Sequence, residues 1–432
     1  MIFLTWLCRI INIILLHSLM YGIISFIYAR CSTIARKQLK FFIKAISAKF
    51  PGQIEKLAYS VVPNEILNYN LDLTVANQKR VLICYISLMG VDLLEANHAA
   101  YHHLNQMIHY FISKGYCVDT CYCMDENAER RLKSHCYDVI IGFGKAFKDF
   151  CSCRDIPKRI FFIMENNPMT VKIKYEERVD YFIKRHPNID ISSDQSRNEY
   201  FSEEQFLYAD ECITMTNSYN SNSLLPHFKH LYRINANAII NKDYLFEDDV
   251  VAGWIPSSKT NFLWFGSNGF IHKGVDIILD AFRELPDYHI DLYGISKNEK
   301  NLYERLKSDN SSDCGRVNVQ SSEYIEKVIS RHCFLIFPSC SEGMSTAVCT
   351  CMAHGIIPIL TKESGFDPHP AIIELKSFTV EEVRKTIVMA ASMSDNEVLK
   401  MRRLAYEHGR DAFSLEHFDK RFTDIMDTIL RN

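Results

Sequence analysis

The chain has 432 residues, 47% of them hydrophobic, which is enough for about two or three domains with sizeable cores. Its 49 basic and 52 acidic side chains leave a formal charge of -3, no electrostatic footprint for nucleic acid. Fifteen cysteines, an odd number scattered through a long chain, read as reduced thiols of a cytosolic compartment. The spacings Cys117-x3-Cys121-x-Cys123, Cys151-x-Cys153 and Cys349-x-Cys351 lack the repeated C-x2-C of a zinc site.

Residues 1–50 are expected to form a hydrophobic, membrane-associating helical segment. Ile10 to Tyr28 is nearly long enough to span a bilayer, although Asn12 and His17 interrupt it. Arg9 precedes it and Arg30, Arg36, Lys37 and Lys40 follow, an excess that would leave the rest of the chain in the cytoplasm. A helix lying in the headgroup region and a buried hydrophobic helix pair are the alternatives.

From about Lys79 strands and helices alternate, the pattern of a parallel sheet with crossovers. A first domain over 79–245 has expected strands at Arg80 to Ser87, Cys117 to Cys123, Tyr137 to Gly142, Arg159 to Met164, Glu211 to Thr216 and Leu231 to Ile234. The helix His98 to Lys114 stops at Gly115, and a loop holding Gly90 leads into it. An acidic connector, Glu247 to Pro256, marks a boundary. A second domain over 257–410 has expected strands at Asn261, His289 to Tyr293, Val317 to Val319, Phe334 to Phe337 and Ile356 to Leu360, with a helix Val275 to Leu285 after the first. Within 411–432, Phe418, Phe422, Ile425 and Ile429 line one face of an amphipathic helix.

Phe334 to Gly365 is the most informative stretch: strand, Ser/Glu/Gly turn, short helix closed by a glycine, second strand. It puts Glu342 and the backbone N–H groups of Gly343, Met344, Ser345 and Thr346 at the carboxyl end of a buried parallel strand, where open α/β sheets bind ligands. A helix opening there favours an anion such as a diphosphate. Asn261 to Asp276 supplies a second such block, with Gly266, Ser267 and then Lys273-Gly274 opening a helix. Gly142-Phe143-Gly144, with Glu165 some twenty residues on, imitates a dinucleotide fingerprint, but Phe147 stands in place of the third glycine. Glu165-Asn166-Asn167-Pro168 leaves a strand end and reads either as the lining of an interdomain cleft or as an Asn/Pro turn. No Asp-x-Asp pair occurs in the chain, so no metal-bridging carboxylate pair of that kind is expected.

These blocks resemble the retaining glycosyltransferases of the GT-B fold, the group 1 or glycogen-synthase-like family (family 4-like), over roughly Lys79 to Leu430. Glu342, Gly343, Met352, Ala353 and Gly355 match its Glu-Gly turn and small-Met-Ala-x-Gly helix end, and Lys273-Gly274 its Lys-Gly. Thr350 stands where that family has a second acid, and Ser267 where it commonly has Arg. The resemblance implies two Rossmann-like domains facing each other across a cleft, with the terminal helix crossing back to the first. It also implies transfer of a hexose from a nucleotide sugar, UDP- or GDP-linked, to a glycan or lipid-linked acceptor with retention of configuration. Lys273 would grip the diphosphate, Glu342 would face the donor sugar, and His98, or else His102 or His103, would be the donor-sugar histidine. Donor binding would involve Gly266, Ser267, Gly343, Met344, Ser345, Thr346 and Thr350, and the acceptor side Gly90, Glu165 and Asn166. The expected setting is surface polysaccharide synthesis on the cytoplasmic side of a bacterial plasma (inner) membrane, with no resident cofactor. A sugar-nucleotide epimerase and a non-catalytic nucleotide-sugar-binding protein are the alternatives on the same frame.

Overall fold

The computed structural model describes residues 65–86, 99–192, 194 and 200–431. The expected hydrophobic segment at 1–50, the Gly90 loop and His98 lie outside these residues. Among the described residues no helix is long and apolar enough to cross a membrane.

Two six-stranded sheets form the framework. The first holds β1 (Arg80–Tyr85), β2 (Cys117–Tyr122), β3 (Val139–Gly142), β4 (Lys158–Ile163), β5 (Glu211–Thr214) and β6 (His230–Arg233) in the order β2-β1-β3-β4-β5-β6. The second holds β7 (Asn261–Phe265), β8 (His289–Tyr293), β9 (Ser311–Gly315), β10 (Phe334–Phe337), β11 (Ile357–Thr361) and β12 (Ile373–Leu375) in the order β12-β11-β10-β7-β8-β9. Every pairing between these twelve strands is parallel. The central strands carry continuous apolar runs such as Val81 to Tyr85 and Phe334 to Phe337, buried on both faces as helix-covered parallel strands must be. Each sheet reverses its direction of growth once, between β1 and β3 and between β7 and β10, and a crevice opens beyond the carboxyl ends of the strands at such a point.

The helices that matter to the site are α1 (Ala99–Ser113), α2 (Gly144–Cys153), α3 (Pro168–Arg185), α4 (Asp248–Ser258), α5 (Val275–Arg283), α6 (Thr346–Met352), α7 (Val380–Ala391), α8 (Asp395–Ala412) and α9 (Leu415–Arg431). The acidic stretch expected as a connector is α4: Asp248 and Asp249 occupy its first turn, where carboxylates favour the helix dipole. Val251 and Ile255 are buried, and the Ser258 hydroxyl lies 3.0 Å from Cys333 Sγ, so α4 is part of the second domain. The end of α6 explains two small residues. Gly355 closes it at φ +77, and α8 crosses so closely that a Cβ on Gly409 would lie 2.4 Å from the Ala353 nitrogen. Buried Arg402 of α8 ties that corner, Nε donating to Gly355 O at 2.8 Å and Nη2 to Ile329 O at 3.0 Å.

Helix α9 packs on the first domain. Phe418 stacks on His103 of α1 at 4.5 Å, Phe422 meets Tyr110 edge-on at 5.6 Å, and Tyr110 Oη donates to Asp427 at 2.7 Å. The strand expected at Val317 to Val319 forms earlier, at β9, from the polar run SSDCG. An edge strand is specified by pairing with its neighbour, here β8, more than by apolar content.

Candidate functional site

The two blocks singled out in the sequence meet at the switch point of the second sheet. After β7, Gly266 to Lys273 loops over the strand ends, and Gly274 turns the chain into α5 at φ +74. Lys273 is buried, and its Nζ donates to Ser267 Oγ at 3.2 Å, so this serine holds the amine. His272 then laces this loop to the one after β10. Its carbonyl accepts from Cys340 N at 2.9 Å and Ser339 Oγ at 3.3 Å, and its Nε2 contacts the Ser341 carbonyl. The same Nε2 lies 3.9 Å from Glu342 Oε1. Glu342 is itself buried, accepting at Oε1 from Ser339 Oγ at 3.0 Å.

The Glu342 backbone is held from both domains: its N–H donates to Glu363 O at 2.9 Å, and its carbonyl accepts from Asn220 Nδ2 at 2.9 Å. Beyond it, no group among the described residues accepts from the backbone N–H of Gly343, Met344, Ser345 or Thr346, and Ser345 makes no capping bond to α6. Other amides are already spoken for. The buried Glu299 carboxylate accepts from Gly269 N at 2.7 Å and Phe270 N at 2.9 Å, so those glycine-loop donors are turned away from any ligand.

Thr350 is placed differently from what the resemblance implies. Its hydroxyl donates to Thr346 O of its own helix at 2.8 Å and accepts from Ile239 N at 3.0 Å, which commits its donor to α6 and one lone pair to the interdomain crossover. Met344 likewise turns its sulfur to the Ala236 N–H at 3.3 Å.

From the first domain, the turn after β4 comes against Gly343. A Cβ on Gly343 would lie 2.0 Å from Met164 O and 2.8 Å from Met215 O, the carbonyls just beyond β4 and β5. Asn166 serves its own turn, Oδ1 accepting from Asn167 N and Ser223 Oγ, and Asn167 caps α3 through Met169 N. Glu165 sits half-buried at the same strand end. Asn217 and Asn220, expected as caps, do more: Asn217 Nδ2 reaches Lys362 O at 2.8 Å and Phe366 O at 2.9 Å, and Asn220 Nδ2 also reaches Glu363 O. His103 is a core residue stacked on Phe418, and His102 is half-buried on α1.

Sequence reasoning missed the cavity beside this point, about 370 Å³, lined by Asn268, Ile295, Ser296, Lys297, Asn298 and Arg316. All six follow the carboxyl ends of β7, β8 and β9, and that position was the available signal. It also missed Arg178 of α3, whose buried Nη2 donates to Pro338 O at 2.8 Å across the domain boundary. Farther along α3, Arg185 pairs with Asp276 and Asp280 of α5, and His186 Nε2 lies 2.7 Å from Asp280. Burial of Asp276 raises its pKa against the opposing pull of Arg185 and Arg178.

The glycines of the dinucleotide-like run are used in packing. A Cβ on Gly142 would fall 1.9 Å from Cys84 O, and one on Gly144 2.5 Å from Cys123 O. Among the described residues, no cluster of three His, Cys, Asp or Glu side chains is placed to hold a metal ion.

Residues 259–387 match the family model described as Glycosyl transferases group 1. That span carries the Lys273 loop, the Glu342 turn and the sheet that joins them. Solved structures extend the likeness over both domains as a shared fold. Sucrose-phosphate synthase from Thermosynechococcus elongatus superimposes with a TM-score of 0.56 at 12% identity, covering 82% of this chain and 100% of its own. HepE from Anabaena, in complex with UDP and glucose, gives 0.50 at 11% identity over 81% and 100%. WaaG, a glycosyltransferase involved in lipopolysaccharide biosynthesis, gives 0.51 at 12% identity over 80% and 99%. No curated protein matches the chain by sequence.

Proposed function

We propose that the chain is a metal-independent, retaining glycosyltransferase that moves a hexose from a nucleotide sugar to a glycan or lipid-linked acceptor. What carries this reading is one arrangement: the loops bearing Lys273 and Glu342 are laced together by His272 at the switch point of the second sheet, inside the matched span. UDP is the first nucleotide to consider, because HepE shares the fold and holds UDP and glucose. The same proposal includes a role in surface polysaccharide synthesis, in keeping with the shared fold of WaaG, a glycosyltransferase involved in lipopolysaccharide biosynthesis. Membrane attachment through residues 1–50, at the cytoplasmic face of a bacterial inner membrane, completes the proposal.

As the sugar–phosphate bond lengthens, the sugar gains oxocarbenium character and the diphosphate gains charge. Lys273 and the N–H groups after Glu342 would stabilise that charge, worth several kcal/mol of barrier when donors are preorganised in a dry site. Glu342 would position the sugar hydroxyls, and the acceptor would attack from the face the phosphate leaves, with the phosphate taking the proton.

Thr350 favours a second reading, a nucleotide-sugar-binding protein without turnover, since its hydroxyl is committed to Ile239 and Thr346. One experiment serves both. A panel of nucleotide sugars is screened for thermal stabilisation, with about 2.7 kcal/mol expected for a ligand at 100 times its Kd. Hits are then incubated with and without an acceptor mixture, in EDTA. Stabilisation with acceptor-dependent loss of donor supports the transferase. Donor conversion without acceptor points to an epimerase, stabilisation without turnover to the binding protein, and no stabilisation by any member rejects all three.

A further inference from the structure

Cys340 lies three residues beyond β10 and is 3% exposed. His272 Nδ1 is 3.6 Å from its Sγ. The other nitrogen of that ring, Nε2, contacts the Ser341 carbonyl, which can only accept, so Nε2 carries the proton and Nδ1 presents a lone pair to the thiol. A base beside a nucleophile is thereby assembled. Glu342 Oε1, 3.9 Å from Nε2, favours positive charge on the ring once the thiol proton moves to Nδ1.

The first domain covers this pair with α3. Tyr175 sets its ring 6.1 Å from that of His272, and Arg178 reaches past it to Pro338 O. The Arg178 guanidinium is fully buried, pairs with no carboxylate at ion-pair distance among the described residues, and leaves Nε and Nη1 without acceptors. A buried cation in that condition is costly. Burial works to lower its pKa, and the sulfur of Cys340 is the first of the charged neighbours that oppose this, ahead of Asp276. A negative charge on that sulfur would add to the Phe378 ring, whose centroid lies 4.6 Å from the Arg178 guanidinium carbon, in offsetting that cost, with the His272 imidazole beside the thiol to take its proton.

We infer that Cys340 is a thiolate clasped between the two domains and a site of reversible thiol–disulfide exchange. The thiolate attacks one sulfur of a small-molecule disulfide, the S–S bond breaks, and the other half departs as a thiolate, leaving a mixed disulfide at Cys340. A reducing thiol reverses the step by the same exchange. The adduct removes the charge facing Arg178 and fills the space α3 occupies, so the domains no longer close over Glu342. Only this last consequence rests on the proposed function.

The test labels the full chain with iodoacetamide between pH 5.5 and 9 and maps each site by mass spectrometry. The exposed thiols Cys136 and Cys153 serve as internal standards. Their measured rates set the comparison for Cys340, and a free thiol in water falls roughly 50-fold in reactivity from pH 8.5 to 6.5. The Cys340 rate should change less than about threefold over the same range, and H272N should restore the ordinary pH dependence. R178K, which keeps the charge, should leave the Cys340 profile flat, and melting curves confirm that both variants are folded. A Cys340 profile parallel to the standards, or no Cys340 labelling at any pH, overturns the inference. Separately, glutathione disulfide treatment should abolish UDP binding measured by calorimetry, with recovery in dithiothreitol, while C340S binds UDP with or without treatment. Absence of UDP binding to untreated protein would count against the donor site, whereas the labelling profile alone decides the thiolate.

Discussion

Gly343→Ala isolates domain closure from the chemistry of the site. No positive φ is required at Gly343, and the three atoms nearest to an added methyl all belong to the first domain. The new methyl would lie 2.0 Å from Met164 O, where ordinary contact starts at 3.4 Å, and Met215 O at 2.8 Å blocks a sideways escape. Both obstacles are backbone carbonyls at strand ends, which cannot rotate away. About 1.4 Å must therefore come from separation of the domains or from displacement of the loop that carries Glu342. A misplacement of that size costs on the order of 100-fold in rate, or about 2.7 kcal/mol of barrier. The assay is donor turnover together with X-ray scattering of the UDP complex: transfer should fall about 100-fold and the radius of gyration should rise. Unchanged turnover and an unchanged scattering profile would refute the view that Gly343 is the point of closest approach in the working enzyme.

Lys273→Ala should slow transfer by a few kcal/mol of barrier, roughly 100-fold or more, with Lys273→Arg recovering part of it; an alanine variant of normal rate would remove the amine from the mechanism. Thr350→Val should cost about 1 kcal/mol of stability in urea titrations, because the half-buried Ile239 N–H loses its acceptor, while UDP affinity stays within about twofold. Lost affinity at full stability would return Thr350 to the donor pocket. His354 is neutral and doubly used, Nδ1 donating to Thr350 O at 2.7 Å and Nε2 accepting from Asn241 N at 3.0 Å, and burial lowers its pKa to about 4. Between pH 6.5 and about 4 the unfolded chain takes up this proton and the native one does not, so stability should fall as pH falls, by about 3 kcal/mol at most. His354→Gln should flatten that slope in urea titrations from pH 7 to 4, and an unaltered slope would place the proton uptake elsewhere.

Strands such as Val81 to Cys84 and Phe334 to Phe337 were legible because a parallel strand buried on both faces must be apolar throughout. The polar β9 and the three-residue β12 were not, since edge strands owe their existence to the neighbour they pair with. In the site, Lys273 and Glu342 could be found because each follows a strand at a fixed offset and opens or precedes a helix. Arg178, His272 and Cys340 could not, because their meaning arises only when α3 from one domain covers two loops of the other. Thr350 shows the converse: its alignment with an acid position pointed to a ligand, but its hydroxyl is spent on a neighbouring backbone amide.

The hold of Asn217 and Asn220 on the second domain has a consequence for how this architecture can vary. Their amides grip the carbonyls of Glu342, Lys362, Glu363 and Phe366, atoms that every amino acid supplies alike. Side chains at those four places can change without loosening the grip, and added salt hardly weakens bonds between neutral dipoles. Ion pairs also cross the boundary, Arg233 with Asp367 at the exposed surface beside these amides and Arg185 with Asp276 and Asp280 in a largely buried position. Added salt and drift in sequence therefore reach the exposed Arg233–Asp367 pair first and the neutral amide grip last, because buried charges are screened much less than exposed ones.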